Sequence, residues 1–370
     1  MILLGANKNK IIFRVLLIGI VISVQIFGQS NISGLVALSN KCKVIGGNTN
    51  ELEYIFSNIK SIAVNSESDL FVLDGKGNQI KKYSSYGDFI ENIGQKGKGP
   101  SDLSMGRAIA IDSENNIFVY DKKNMKIVKY NSVGSYKKTI NVYEKIKNFK
   151  ILKNGNIVAL TSKVVKKTNK LYWVDKLDIY TEEFEYIRSI DSMQLKTVSI
   201  KIGKNSMTSL SPFQSLLLWG TDRLSNIYVV DPSEYLLKKY NENGLKLLQN
   251  KYNCAKYYVS ETDREQYFEE IHVDESLMKK IKSKTKFPDV KPFVNEMLVT
   301  EDGKIYLKRT SKNNSFELID VFTAKLKFQT QRSLSSTYDL NKSLTKNGLF
   351  FLVSSKSVEF PFVKICKKNK

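Results

Sequence analysis

The chain has 370 residues, 42% hydrophobic and 26% charged, with 6 Pro and 20 Gly, a balance that excludes collagen-like and broadly disordered classes. Lys and Arg outnumber Asp and Glu 58 to 37, which favours anionic partners such as phosphate-rich polymers, acidic glycans or a lipid surface. The lysines are scattered along the chain, so charge alone does not specify nucleic acid. Three cysteines far apart and a single histidine, His272, argue against a structural zinc site, and no metal or cofactor is expected.

Residues 1–28 read as a signal sequence. Lys8, Lys10 and Arg14 precede an apolar run over 15–24, shorter than the roughly 20 apolar residues of a membrane span, and Gly28 supplies a small residue after it. Its removal takes three of the basic groups and none of the acidic ones, which leaves a net charge of +18. The expected product is exported (periplasmic, cell-surface or secreted) with no membrane span after signal removal, a retained N-terminal anchor being the alternative. Residues 29–370 then form one domain, in an oxidising compartment that permits a disulfide.

A repeat dominates that domain. Ser61-Ile62-Ala63-Val64-Asn65, Leu70-Phe71-Val72-Leu73-Asp74 and Ile80-Lys81-Lys82-Tyr83 recur 47 residues later as Ala108-Ile109-Ala110-Ile111-Asp112, Ile117-Phe118-Val119-Tyr120-Asp121 and Ile127-Val128-Lys129-Tyr130, with no gap inside the unit. Looser copies start near 149, 217 and 297, and a sixth is marked by Asn347-Gly348 and the apolar run that follows. Short β-branched and aromatic runs bounded by Asn, Asp and Gly predict about four strands per unit. Such a unit cannot bury both faces alone. Packing six of them around an axis does so, which predicts an all-β, six-bladed β-propeller.

One segment breaks the pattern. Ser260 with Asp263 fits a capping box, acids crowd the start and lysines the end, so 259–287 is expected to be a short helical insertion between blades four and five. The C-terminal unit is short, and 35–45 is strand-like. A blade shared between the chain ends would put Cys42 and Cys366 on neighbouring strands, as a disulfide candidate, with free thiols as the alternative.

The units resemble NHL-type six-bladed propellers, in particular exported bacterial members. Residues 109–112, 117–121 and 127–130 carry that resemblance, together with the Gly-rich connector over 93–103, in which Ser101-Asp102-Leu103 replaces the more usual Gly-Glu-Phe. The match is good over 59–142 and fair over 211–250 and 290–330. It implies a fold far more than an activity, because such propellers host binding proteins, lyases and hydrolases. The connector lacks the order of a Walker loop, and His272 alone cannot supply the histidines of propeller lyases.

Aligning the inner strands puts Lys60, Arg107, Lys147, Leu217, Asn295 and Asp339 at one register. If that register faces the channel, basic groups from three consecutive units converge, and Lys60, Arg107, Lys147 and Asn295 become candidate ligand-binding residues. The other reading has them facing solvent at a blade end or paired with acidic neighbours. The functional expectation is an exported binding or scaffold module for an anionic or carbohydrate ligand, or for another exported protein, at the channel mouth; export argues against nucleic acid. The alternative is a propeller hydrolase or lyase using carboxylates with a divalent cation.

Overall fold

The structure is a computed structural model that describes residues 38–167, 170–202, 205–310, 317–334, 337–354 and 358–368. The signal sequence expected over 1–28 lies outside the described residues.

The strands form six four-stranded antiparallel sheets, the blades of a propeller. The N-terminal strand β1 (Leu38–Gly46) belongs to the last of them. Blade one holds β2 (Ile59–Val64), β3 (Leu70–Asp74), β4 (Gln79–Tyr83) and β5 (Phe89–Ile93), from the axis outward. Blade two repeats this with β6 (Gly106–Ile111), β7 (Ile117–Asp121), β8 (Lys126–Tyr130) and β9 (Tyr136–Asn141). Blade three comprises β10 (Lys145–Ile151), β11 (Ile157–Lys167), β12 (Lys170–Tyr180) and β13 (Tyr186–Leu195), followed by a separate hairpin, β14 (Thr197–Ile202) and β15 (Asn205–Leu210). Blade four is β16 (Leu218–Thr221), β17 (Ile227–Asp231), β18 (Leu236–Tyr240) and β19 (Lys246–Lys251). Helices α1 (Glu261–Glu269) and α2 (Glu275–Lys284) come next, and then blade five, β20 (Val294–Val299), β21 (Ile305–Arg309), β22 (Glu317–Phe322) and β23 (Phe328–Leu334). Blade six takes β24 (Tyr338–Lys346), β25 (Leu349–Ser354) and β26 (Phe362–Lys368), with β1 as its outer strand.

Apolar burial falls between blades. Six clusters of buried side chains each combine residues of two adjacent blades. The one between blades one and two includes Phe71, Leu73, Ile109 and Val119. Each sheet therefore hides both faces against its neighbours, which is why a single unit is not a stable object.

Recurrent polar devices fix the connectors. Asp74 accepts from the Asn58 backbone N–H at 2.8 Å and the Ser57 hydroxyl at 2.9 Å, and Asp121 accepts from the N–H groups of Ser104 at 2.8 Å and Met105 at 3.0 Å. The buried Tyr83 and Tyr130 hydroxyls donate to the Glu53 and Ser101 carbonyls at 2.5 and 2.6 Å. Lys81 donates to the carbonyls of Leu52, Glu53 and Ile55. Lys126 donates to those of Gly99 and Pro100 inside the Gly-rich connector. Part of the basic excess therefore serves the scaffold.

At the opposite face the turns between first and second strands bond across the seams. Ser66 N–H donates to Asn115 Oδ1 at 3.0 Å, Asn347 Nδ2 to the Ser66 carbonyl at 2.8 Å, and Glu301 N–H to Thr345 Oγ1 at 3.0 Å. Those turns need a left-handed residue, supplied by Asn115 (φ 64°) in blade two and Gly303 (φ 79°) in blade five. The ring closes where β1 pairs with β26: Cys42 lies opposite Cys366, their Cα atoms are 4.5 Å apart, and their sulfurs are bonded.

Two features depart from the sequence reading. The long strands of blade three, eleven residues each in β11 and β12 against five in β7 and β8, were not expected, and neither was the β14–β15 hairpin. The ends of β11 and β12 mix Val164, Val165, Leu171 and Trp173 with Lys163, Lys166, Lys167 and Lys170, and β14 alternates polar with apolar residues, but neither stretch has a counterpart in the two closely matched units. The helices lie over this hairpin, with Ile281 packed on Val198 and flanked by Phe268, Ile271 and Leu277.

Candidate ligand site at the channel mouth

Every innermost strand begins on the face where the inter-blade connectors and the turns between second and third strands gather. Close to that end the inner strands of four blades carry a β-bulge. Ile59 pairs with Asp74 and Ser61 with Leu73, which leaves Lys60 as the extra residue. The same break isolates Arg107 between Gly106 and Ala108, Lys147 between Ile146 and Asn148, and Asn295 between Val294 and Glu296. A bulge bends the strand and re-aims its extra side chain. The structure thus puts the four candidate residues at one register of four blades. Leu217 is buried just before β16, and Asp339 precedes a wider irregularity in which residues 340–343 oppose Leu352 alone.

Their surroundings differ. Arg107 is exposed and has no hydrogen-bond or ion-pair partner among the described residues. The Lys60 side chain lies across Gly75, where an added Cβ would collide with it. Lys147 is turned into its own blade, 2.6 Å from the buried Asp175, whose other oxygen accepts from Ser162 Oγ at 2.9 Å. Asn295 is exposed, and its carbonyl accepts from Asn341 Nδ2 at 3.4 Å. The register is shared, but the three cations do not converge as three unpaired charges.

A broader asymmetry is present in the walls. The six innermost strands carry seven basic residues, Lys60, Arg107, Lys145, Lys147, Lys150, Lys342 and Lys346, against two acidic ones, Glu296 and Asp339. Both acids are engaged. Glu296 contacts Lys308 at 3.0 Å and accepts from the Leu340 N–H at 2.8 Å, and burial pushes its carboxyl up against the pull of Lys308. Asp339 sits 3.6 Å from Lys342. Beside the Lys60 bulge, at the seam of blades six and one, a cavity of about 410 Å³ is lined by Ser57, Asn58, Ile59, Lys342, Ser354 and Glu359 among others. Lys342 also donates to the Ile59 carbonyl at 2.9 Å. The mouth thus offers amide, hydroxyl and ammonium donors over a small apolar floor.

A second cavity, about 290 Å³, lies on the same face at blades four and five, with Cys254, Tyr252, Asn253, Lys256 and Phe293 in its wall. Burial pushes the Cys254 thiol up, which is the direction of a less reactive sulfur. Behind it Arg309 occupies the place that Asp74 and Asp121 take in their blades, 3.3 Å from the buried Asp320. Among the described residues no group of three or more His, Cys, Asp or Glu side chains converges to hold a metal, and no helix is long and apolar enough to cross a membrane.

Comparison with solved structures returns propellers. A protein of Bacteroides fragilis NCTC 9343 described as exported superposes with a TM-score of 0.55 at 12% identity, over 89% of this chain and 95% of that one. A gluconolactonase of Xanthomonas campestris aligns with a TM-score of 0.49 at 8% identity, covering 90% and 92% of the two chains. Virginiamycin B lyase of Staphylococcus aureus does so with a TM-score of 0.44 at 9% identity, covering 88% and 99%. Identities this low speak to the fold alone. No curated protein matches the chain. A family described as 6-bladed beta-propeller, DUF5128, matches residues 20–276, which is most of the chain and includes the first four blades whose seams, bulges and connectors are set out above. By that match, and by its closed ring of six sheets, this chain belongs to the DUF5128 family of six-bladed β-propellers.

Proposed function

We propose that this protein is an exported binding module that takes an acidic carbohydrate at the channel mouth. The observation that carries the reading is that the mouth ends of the innermost strands carry Lys60, Arg107, Lys145, Lys147 and Lys342 against Glu296 and Asp339, both acids being already paired. A partly enclosed opening lined by one sign of charge concentrates counter-ions and favours anionic groups. The cavity beside Lys60 adds Asn, Ser and Glu side chains suited to hydroxyl groups. Export is supported by the basic and apolar start of the chain, and the bonded Cys42 and Cys366 suit an oxidising compartment. The two closely matched first units and the Gly-rich connector support an NHL-like kind of blade.

The test is calorimetry with polygalacturonate against neutral dextran of the same size. Polygalacturonate is expected to bind with an affinity that falls as salt rises, and Arg107→Gln is expected to weaken it about three- to tenfold by removing an exposed cation. Equal affinity for dextran, or an Arg107 variant that binds as the parent does, would sink the reading.

A further inference from the structure

One position of the repeat differs at the seam of blades six and one. In blades one and two the second strand ends in an aspartate, Asp74 opposite Ile59 and Asp121 opposite Gly106. Each ties its connector down by accepting backbone N–H groups. Blade six ends its second strand in the shorter, uncharged Ser354, opposite Tyr338, and Ser354 lines the cavity of about 410 Å³.

The walls of that cavity are held from both blades. On the blade-one side Asp74 accepts from the Asn58 N–H at 2.8 Å and the Ser57 hydroxyl at 2.9 Å. On the blade-six side Ser354 Oγ accepts from the Phe362 N–H at 2.9 Å, and the Pro361 carbonyl accepts from the Gly47 N–H at 3.0 Å. These bonds pin the end of the segment that carries Glu359. Lys342 spans the seam, donating to the Ile59 carbonyl at 2.9 Å and lying 3.6 Å from Asp339, so its charge is engaged. Glu359 is different. Its carboxylate is exposed at the cavity wall and has no hydrogen-bond or ion-pair partner among the described residues, and the same holds for the side-chain amide of Asn58.

The charges at this seam restrict the occupant. Lys60 and Lys342 disfavour a ligand bearing an ammonium group, and the unpaired Glu359 disfavours a carboxylate. A neutral, hydroxyl-rich group suits both: its hydroxyls donate to Glu359 and exchange bonds with Asn58, while its C–H faces rest on Val358 and Pro361. We propose that this cavity holds one neutral sugar ring and that Glu359 is the residue selecting hydroxyl over carboxylate there. The inference rests on the mouth reading in taking carbohydrate as the ligand. It adds that an acidic carbohydrate turns its carboxylates to the exposed cations of the mouth and an uncharged unit into the seam.

The probes are D-galactose and D-glucose, each set against its uronate, which differs only in carrying a carboxylate for a hydroxymethyl group. Saturation-transfer NMR follows the neutral sugar, and the uronate is measured by its power to displace it, so only occupancy of the same place counts. At least one neutral sugar is expected to bind about tenfold more tightly than its uronate, and Glu359→Gln to bring the pair within about twofold. Asn58→Ala is expected to weaken the neutral sugar about threefold or more. Both side chains are exposed, so these variants leave the seam's core intact. Arg107→Gln is expected to leave the neutral sugar unaffected, whereas it weakens polygalacturonate; failure of polygalacturonate to bind therefore removes the mouth reading alone. No saturable binding by either neutral sugar, a uronate that competes as well as its neutral counterpart, or unchanged behaviour in both the Glu359 and Asn58 variants overturns the proposal.

Discussion

The buried hydroxyl of Tyr180 has one proton and two carboxylates beside it. Glu144 Oε2 lies 2.7 Å away and takes that proton in a hydrogen bond, while Asp178 Oδ2 lies 3.4 Å away and faces the oxygen's lone pairs. A protonated Asp178 suits that contact, and burial pushes its carboxyl up in the same sense. The folded chain then holds this proton more tightly than the unfolded chain does. The stability it contributes is complete below the ordinary carboxylate range and is lost as pH rises through the raised value. Asp178→Asn keeps the shape and removes the charge. It is expected to raise stability at pH 8 by about 1 kcal/mol or more and to flatten the fall in urea midpoint between pH 5 and pH 8. A midpoint at pH 8 no higher than the parent's would contradict this account.

Among elements, the helical insertion and the hairpin beneath it stand outside the six seams. The Ser260–Asp263 capping box starts α1, with reciprocal bonds between the two residues, and it was legible because capping depends on neighbours in sequence. Docking depends on neighbours in space. Helix α2 buries only Ile281, against Val198 of β14. Ile281→Ala should cost about 2–4 kcal/mol locally. Since no blade seam shares this cluster, the loss is expected as faster amide exchange in α2 and β14, with the main unfolding transition little moved. A large drop in the main transition would show that the insertion belongs to the ring's cooperative unit. The bulges are elements of the same kind: each of the four candidate residues was found by counting back from an apolar anchor, yet nothing local told which would be paired. Lys147 met Asp175 from a strand 28 residues further on, and Arg107 met no such partner among the described residues.

For the whole molecule, closure is the decisive event. A ring of six blades has no free sheet edge at its seams only if the ends of the chain meet, and here β1 completes the sheet of β24, β25 and β26. The Cys42–Cys366 bond joins residues 324 apart, so it restricts nearly the whole unfolded chain. Removing it by Cys42→Ser with Cys366→Ser is expected to cost about 3–5 kcal/mol, read from denaturant midpoints against the oxidised parent. Equal midpoints would mean that strand pairing alone closes the ring. The turn-to-turn bonds on the face opposite the mouth act in the same direction, tying Asn347 of blade six to Ser66 of blade one.

The sequence by itself determined the number of blades, the place of the helical insertion and which residues share one register of the innermost strands. Apolar periodicity, turn residues and capping are local, and the repeat multiplied their signal in the well-matched units. Only the tertiary structure decided which basic groups are paired, that residues 340–343 bulge against one partner, and that blade three rises above its neighbours on long strands. Electrostatic partnership depends on distance through space, and in a closed ring the nearest charge commonly comes from another strand or another blade.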